Sequence, residues 1–263
     1  MSNAVATDLD AAIELAAQWV SEAERLVVFT GAGVSTESGI PDFRSPGGIW
    51  EKYDPRELTY QKFLADPAVR KLRWKMFMEM EAMWDAKPNP AHLAVAELHK
   101  LGKLRAVITQ NVDGLHQDAG VPAERVIELH GTNREVYCLR CGARWPSSEI
   151  RERIAREKVE IPDCVKCGGI LKTATVSFGQ AMPEKETAEA VRLSEQADLM
   201  IVMGSTLVVN PAAMMPRITK ENGGRVVIIN LSGTEGDHYA DLVVRGKAGE
   251  LMPRIVERYK KNR

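Results

Sequence analysis

No stretch of this chain approaches the ~18 consecutive apolar residues that a membrane-spanning helix requires, so no membrane partner is expected. The opening MSNAVATDLDAA lacks the basic start and apolar run of a secretory leader, which makes the cytoplasm the expected compartment. Excess charge is missing as well. The 35 basic and 36 acidic residues leave a net charge of −1, so no electrostatic footprint points to nucleic acid. The closing RYKKNR (Arg258 to Arg263) is basic, and cations there suit the C-terminal end of a helix. Repeats and low-complexity tracts are absent, and no pattern fixes an oligomeric state. Cysteine is scarce, and its four copies fall in two Cys-x-x-Cys pairs; in a reducing compartment that reads as metal ligation rather than disulfide bonding.

The rest is ordinary globular composition, 44% apolar and 27% charged, in a length that suits one large domain with or without a smaller module. Leu26 to Thr30 is a continuous apolar run, the mark of a strand buried on both faces, and similar short runs are Ala106 to Thr109, Val126 to Leu129, Leu199 to Met203, Val226 to Ile229 and Leu242 to Val244. Helical periodicity occupies Leu9 to Val20, where Thr7 and Asp10 resemble a capping box, and then Ala91 to Leu101, Thr187 to Gln196, Ala212 to Glu221 and Ala248 to Lys260. Strands alternating with helices predict an α/β fold with a mostly parallel sheet. Two stretches break the alternation. Tyr53 to Lys87, rich in Met and aromatic residues, reads as a helical insertion able to line an apolar channel. Thr132 to Thr175 holds all four cysteines and reads as a separate small module.

Three segments carry chemistry. Gly31, Ala32 and Gly33 leave the first buried run directly, as a turn approaching a pyrophosphate would. Thr36 stands where the dinucleotide fingerprint has its third glycine, so a tight structural turn competes with that reading and hydride transfer is disfavoured. Beyond it, Pro41, Asp42, Phe43 and Arg44 form a loop, in which Arg44 can pair with phosphate or with Asp42, and Phe43 can cover a ring. Gln110, Asn111 and Asp113 follow the next run at the carboxyl end of a strand, where helix capping is the competing reading; His116 beside them is read as structural. His130 ends a third run. Among the five histidines it has the company a general base needs, whereas His92 and His99 lie seven apart on one helix and His238 lies in a loop. Cys138 and Cys141 are separated by 22 residues from Cys164 and Cys167, and four thiolates fill a tetrahedral zinc shell with no open position.

Together these segments resemble the sirtuins, the NAD-dependent protein-lysine deacylases, along nearly the whole chain from Leu26 to about Ala248. The resemblance rests on GAGVSTESGIPDFRSPGGIW (31–50), TQNVDGLHQDAG (109–120), ELHG (128–131), the cysteine pairs, VSFGQAMP (176–183), GSTLVVNPAA (204–213) and IINLS (228–232). It implies a Rossmann-type NAD domain (1–41, 88–131 and 176–263) and a smaller part combining the helical insertion and zinc module (42–87 and 132–175), with acyl-lysine proteins or peptides entering between them. It places Gly31, Ala32, Gly33, Ser35, Ile40, Pro41, Asp42, Arg44 and Trp50 against the cofactor, with Phe43 screening the reaction centre. Gly204, Ser205, Thr206, Asn230 and Leu231 would hold the adenosine half, Gln110 and Asn111 the nicotinamide ribose and Asp113 the nicotinamide amide, with Val112 and Ala248 also against the cofactor. Val176, Ser177, Phe178 and Gly179 would pair with the substrate peptide.

The implied reaction begins as the acyl oxygen attacks the ribose carbon bearing nicotinamide. Nicotinamide leaves, His130 (with Asn111) activates a ribose hydroxyl, and water completes release of lysine and O-acyl-ADP-ribose. One structural zinc takes no chemical part. The chain departs from the family in Thr173 to Ser177 and at Gln180, where an acid is common. The Tyr-x-x-Arg pair of succinyl- and malonyl-preferring members is missing, and a loose alignment puts Phe77 and Met80 there; this implies an apolar pocket for acetyl and longer fatty acyl groups. Mono-ADP-ribosyl transfer to a protein, and NAD binding without catalysis, are the alternative functions.

Overall fold

The computed structural model describes residues 5–263, and of Glu81 and Ala82 the backbone alone. Residues 1–4, which begin both the leader reading and the range 1–41, lie outside the described residues. The described strands are β1 (Leu26–Thr30), β2 (Leu104–Thr109), β3 (Val126–Glu128), β4 (Gly131–Cys138), β5 (Arg144–Pro146), β6 (Leu171–Thr175), β7 (Leu199–Met203), β8 (Arg225–Asn230) and β9 (Leu242–Arg245).

Six of them form one sheet in the order β3-β2-β1-β7-β8-β9, and every neighbouring pair is parallel. All five residues of β1 and of β7 are buried, which is why LVVFT and LMIVM run without a polar break. Successive side chains enter opposite layers: Leu26 and Val28 pack with helices Leu9–Glu22, Pro90–Lys100 and Ala248–Lys261, while Val27 and Phe29 pack with Glu184–Gln196 and Met215–Glu221. Strand order reverses between β1 and β7, and such a switch point opens a crevice beyond the carboxyl ends of the strands.

The second sheet, β5-β4-β6, is antiparallel. Its core joins Val136, Cys138, Cys164 and Leu171 to Ile150 and Ile154 of helix Ser147–Glu157, and to Trp74 and Phe77 of the insertion. The insertion itself folds as helices Tyr60–Ala65, Pro67–Glu79 and Glu81–Asp85.

Several expectations are corrected in detail. The first helix is capped by Asp8, whose carboxylate accepts from the N–H groups of Asp10 and Ala11, because a carboxylate one residue before the helix reaches these orphan donors directly. The second strand begins at Leu104, two residues before the apolar run suggests. Residues 212–221 divide into a 3-10 turn and a helix with Pro216 in its first turn. The basic C-terminal run does more than favour a helix end: Arg258 and Lys260, with Arg254 ahead of them, pair with Glu14, Glu97 and Asp10 of neighbouring helices. No helix among the described residues is long and apolar enough to cross a membrane.

Candidate active site

A cleft of about 800 Å³ opens at the switch point. Its lining includes Gly31, Ala32, Gly33, Ser35, Ile40, Pro41, Asp42, Phe43, Arg44, Trp50, Gln110, Asn111, Val112, Asp113 and His130. Val176, Ser177, Phe178, Gly179, Gly204, Ser205, Thr206, Asn230, Leu231 and Ala248 line it too, so residues from seven distant segments meet in one cavity.

At its base two glycine turns interlock. The N–H of Gly31 donates to Met203 and that of Gly33 to Gly204, while the N–H of Gly204 reaches Ile229. A Cβ on Gly33 would lie 2.9 Å from the Gly204 backbone; one on Gly204, whose φ is +62°, would lie 2.1 Å from the Val34 nitrogen. Glycine is thus required first by this turn-on-turn contact, and the same bare backbone lets a pyrophosphate approach. The N–H groups of Gly33, Val34 and Ser35 are spent inside the fold, in 3-10 turns rather than a long helix, so the expected row of anion-binding donors is shorter than the sequence suggests. The N–H of Ala32 has no backbone acceptor among the described residues. The Asp42 carboxylate caps its own loop, taking the N–H groups of Arg44 and Ser45 and the Ser45 hydroxyl, and makes no ion pair with Arg44 among the described residues. Phe43, Trp50 and Phe178 form an aromatic row, with ring centroids 5.1 and 5.7 Å apart.

The polar end is a connected network. Asn111 Nδ2 donates to Ser35 Oγ (3.0 Å), and that hydroxyl donates to Asp113 Oδ2 (2.8 Å). Asp113 also accepts from the N–H of Leu115, so capping and cleft-lining are combined in one carboxylate. Gln110 Nε2 reaches Ser205 across the switch point. Below, the N–H of Asn111 donates to Thr109 Oγ1, which accepts from Thr30 Oγ1, itself 3.0 Å from His116 Nε2.

His130 Nδ1 lies 3.0 Å from the Gln110 carbonyl. A carbonyl only accepts, so Nδ1 carries the proton and Nε2 is left with its lone pair. Burial pushes the imidazole below its ordinary value of 6.5, against the Gln110 carbonyl, which raises it; the ring is neutral at pH 7.

His92, given no partner in the sequence reading, has company after all. Its Nδ1 accepts from the N–H of Asn89, its ring lies 4.9 Å from that of His116, and burial takes it down to about 4 despite the opposing pull of Asp113. The Nε2 of His92 and Nδ1 of His116 are buried without a hydrogen-bond partner among the described residues. Arg73 and Lys172, not anticipated from the sequence, also stand in the cleft wall. Lys172 Nζ donates to the carbonyls of Thr173 and Thr175, and burial, reinforced by Arg73, lowers it to about 7. Periodicity offers no signal for either, since cations in helices and strands ordinarily mark a solvated face. Gln180 uses its side-chain oxygen on the N–H of Ser177, so a neutral amide caps that turn where an acid is common.

The four cysteines lie apart from the cleft, with their sulfur atoms all within 4.8 Å of one another. Cys138 and Cys167 are 3.5 Å apart, and Cys141 and Cys164 3.7 Å. Zinc–sulfur bonds of about 2.3 Å in a tetrahedron require sulfurs about 3.8 Å apart, so the cluster fits zinc. Gly142 and Gly168, at φ of +70° and +66°, turn the chain after each pair. A Cβ on Gly169 would stand 2.9 Å from the Cys138 sulfur.

Residues 31–211 match the model of the Sir2 family. The chain is 45% identical over 249 residues to NAD-dependent protein deacetylase 1 of Bradyrhizobium diazoefficiens, covering 94% of this chain and 96% of that protein. A solved complex of a Sir2 homologue with NAD superimposes with a TM-score of 0.85 at 39% identity, covering all of this chain and 97% of the other. The structure of Sir2Tm bound to a propionylated peptide gives a TM-score of 0.82 at 38% identity, with coverage of 91% and 95%.

Proposed function

This chain belongs to the Sir2 family, and from that premise we propose the parts that its own residues play. It is an NAD-dependent protein deacylase with a structural zinc site, and its substrates are acyl-lysine peptides. When bound, NAD supplies an electrophilic ribose carbon to which the acyl oxygen adds as nicotinamide leaves. The Gly31–Gly33 turn, with the N–H of Ala32 and the Arg44 guanidinium, holds the phosphates, and Ser35 lines the cofactor cleft beside Asp113. Ile40, Pro41 and Asp42 shape the loop over them, and Phe43 with Trp50 shields the reacting carbon from water and returning nicotinamide. Gly204, Ser205, Thr206, Asn230, Leu231 and Ala248 hold the adenosine half. Gln110 and Asn111 orient the nicotinamide ribose, and Val112 and Asp113 the nicotinamide. His130 takes a ribose hydroxyl proton on Nε2.

The peptide lies along Val176, Ser177, Phe178 and Gly179, a segment braced by the N–H of Tyr60 on the Phe178 carbonyl and by Gln61 on that of Gly179. Phe63, Met76, Phe77, Met80 and Met83 offer an apolar wall to acetyl and longer acyl chains. We assign 5–41, 88–131 and 176–263, with residues 1–4 ahead of them, to the NAD-binding part, and 42–87 with 132–175 to the small part; the separation of their apolar cores supports this. Four reduced thiolates suit a cytoplasmic location.

One observation carries the catalytic reading: a neutral imidazole with its Nδ1 proton committed to Gln110 shares the cleft with the Asn111–Ser35–Asp113 network. The test is a panel of acetyl, fatty acyl and succinyl peptides, incubated with and without NAD and read by mass. Apolar acyl groups lost only with NAD, with O-acyl-ADP-ribose formed, is the expected result. Preference for succinyl would overturn the apolar pocket and implicate Arg73; ADP-ribose attached to protein, without deacylation, would favour transferase activity.

A further inference from the structure

We propose that Arg134 is a positioning residue for the nicotinamide end of the cleft, acting through the backbone of Asp113 and Gly114; this rests on the NAD reading above. The small sheet carries a defect. β4 pairs with β6 at Gly131↔Thr175 and again at Val136↔Thr173, so β4 advances five residues while β6 advances two. Residues 132–135 stand opposite Ala174 alone, a surplus of three that makes a bulge, and bulges re-aim side chains. Here the bulge is aimed at the loop after β2. The N–H of Asn133 donates to the Val112 carbonyl (2.9 Å). The Ser147 hydroxyl, at the start of helix Ser147–Glu157, holds the Asn133 carbonyl (2.5 Å).

Arg134 completes the attachment. Its Nε and Nη2 donate to the Asp113 carbonyl (3.3 Å each), Nη2 also donates to the Gly114 carbonyl (3.1 Å), and the same nitrogen meets the Asp118 carboxylate. The seat for this fork is the bare face of Gly114. A Cβ there would lie 2.0 Å from Arg134 Nε, and the φ of +73° is one that glycine alone adopts freely. Glycine at 114 and arginine at 134 therefore answer one another across 20 residues of chain. A planar guanidinium can span two carbonyls and a carboxylate at fixed geometry, whereas an ammonium is a single point charge.

The contact is ill suited to stabilising the whole fold. The Arg134 and Asp118 side chains are each 44% exposed, and ion pairs so exposed contribute little. What it fixes is local: the height and tilt of 112–114, the segment from which Asp113 reaches Ser35 and faces the cleft. A displacement of about 1 Å at such a place can cost ~100-fold in rate. Arg134 is thus the side chain that, beside the Asn133 N–H, ties the cysteine-bearing sheet to the nicotinamide end of the cleft without touching a ligand.

The experiment compares Arg134→Met, Arg134→Lys and Asp118→Asn with the parent protein. It measures zinc content, Tm, ADP-ribose affinity by calorimetry, and inhibition of deacylation by nicotinamide. ADP-ribose keeps every part of NAD except nicotinamide, so it reports the rest of the site. In Arg134→Met, nicotinamide inhibition weakens and KM for NAD rises, each by roughly 10- to 100-fold. ADP-ribose affinity, zinc content and Tm stay at parent values. Arg134→Lys recovers part of the loss, and Asp118→Asn shows a smaller change of the same sign. Parallel weakening of ADP-ribose and nicotinamide, or unchanged nicotinamide inhibition, overturns the proposal; if Arg134→Met does not fold, the other two variants decide it by the same split. Failure of the parent protein to bind ADP-ribose overturns the NAD reading itself, and this inference with it.

Discussion

The two sheets of this protein are held together by different means. In the six-stranded sheet β1 and β7 bury every residue, and apolar helices cover both layers. In the three-stranded sheet β5 buries none of its residues, β4 buries only Val136 and Cys138, and the local core enlists Cys138 and Cys164 as apolar members. The first sheet is flanked by two large apolar clusters, whereas the second has a smaller one and gathers four cysteines that fit zinc, whose binding would add to its folding. The cleft lies between a rigid wall and a stapled one, and its residues divide between them: the glycine turns and Asn111 come from the first, while Val176 to Gly179 follow β6 of the second.

The comparison breaks most sharply if the metal is removed. Cys141→Ser leaves three thiolates, and the small sheet is expected to unfold while the parallel sheet survives. Deacylation then falls to background, zinc falls from one per chain towards none, and thermal unfolding splits into two transitions. A single unchanged transition with full activity would mean that both sheets are sustained by burial alone.

The second test strikes the rigid wall. Gly204→Ala puts a Cβ against the Val34 nitrogen at a positive φ. The loss of stability is expected to be on the order of 4 kcal/mol, with weakened ADP-ribose binding and zinc retained, as read by denaturant unfolding and calorimetry.

Acid sharpens the contrast more gently. His92 is held at about 4 in the fold, mainly by burial, against an ordinary value of 6.5. Between these values the unfolded chain takes up a proton that the folded one refuses. Stability therefore declines as pH falls from about 6.5 to about 4, by about 3 kcal/mol from this group, and is insensitive to it above 6.5. Urea unfolding across that range checks the sign, and His92→Gln should flatten the slope. The imidazole of His130 is also depressed, so the acid limb of turnover belongs below pH 6.5, with a plateau across neutrality.

Much of this architecture is legible in the chain itself, for identifiable reasons. Short apolar runs located all six parallel strands; in β1 and β7 burial on both faces leaves no room for polar alternation, whereas β3 at the sheet edge carries Glu128 and is only partly buried. Paired cysteines located the metal module because four thiolates at that spacing have few other uses. What escaped is contact between segments distant in sequence: the interlock of Gly33 with Gly204, the neighbourhood of His92 and His116, the entry of Arg73 and Lys172 into the cleft, and the grip of Arg134 on Gly114. Each depends on how elements pack, and no periodicity within one segment encodes it. The Thr7–Asp10 box failed for a smaller reason, since Asp8 lies one residue nearer the helix and reaches the same donors.

The central claim, that an imidazole at the junction of the two walls acts as the base, is tested most directly by His130→Ala, with acetyl-peptide turnover and ADP-ribose affinity measured on the same preparation. Turnover is predicted to fall by roughly 10²- to 10⁴-fold while ADP-ribose affinity and Tm hold. Turnover persisting at the parent rate in a protein lacking that ring would contradict the account.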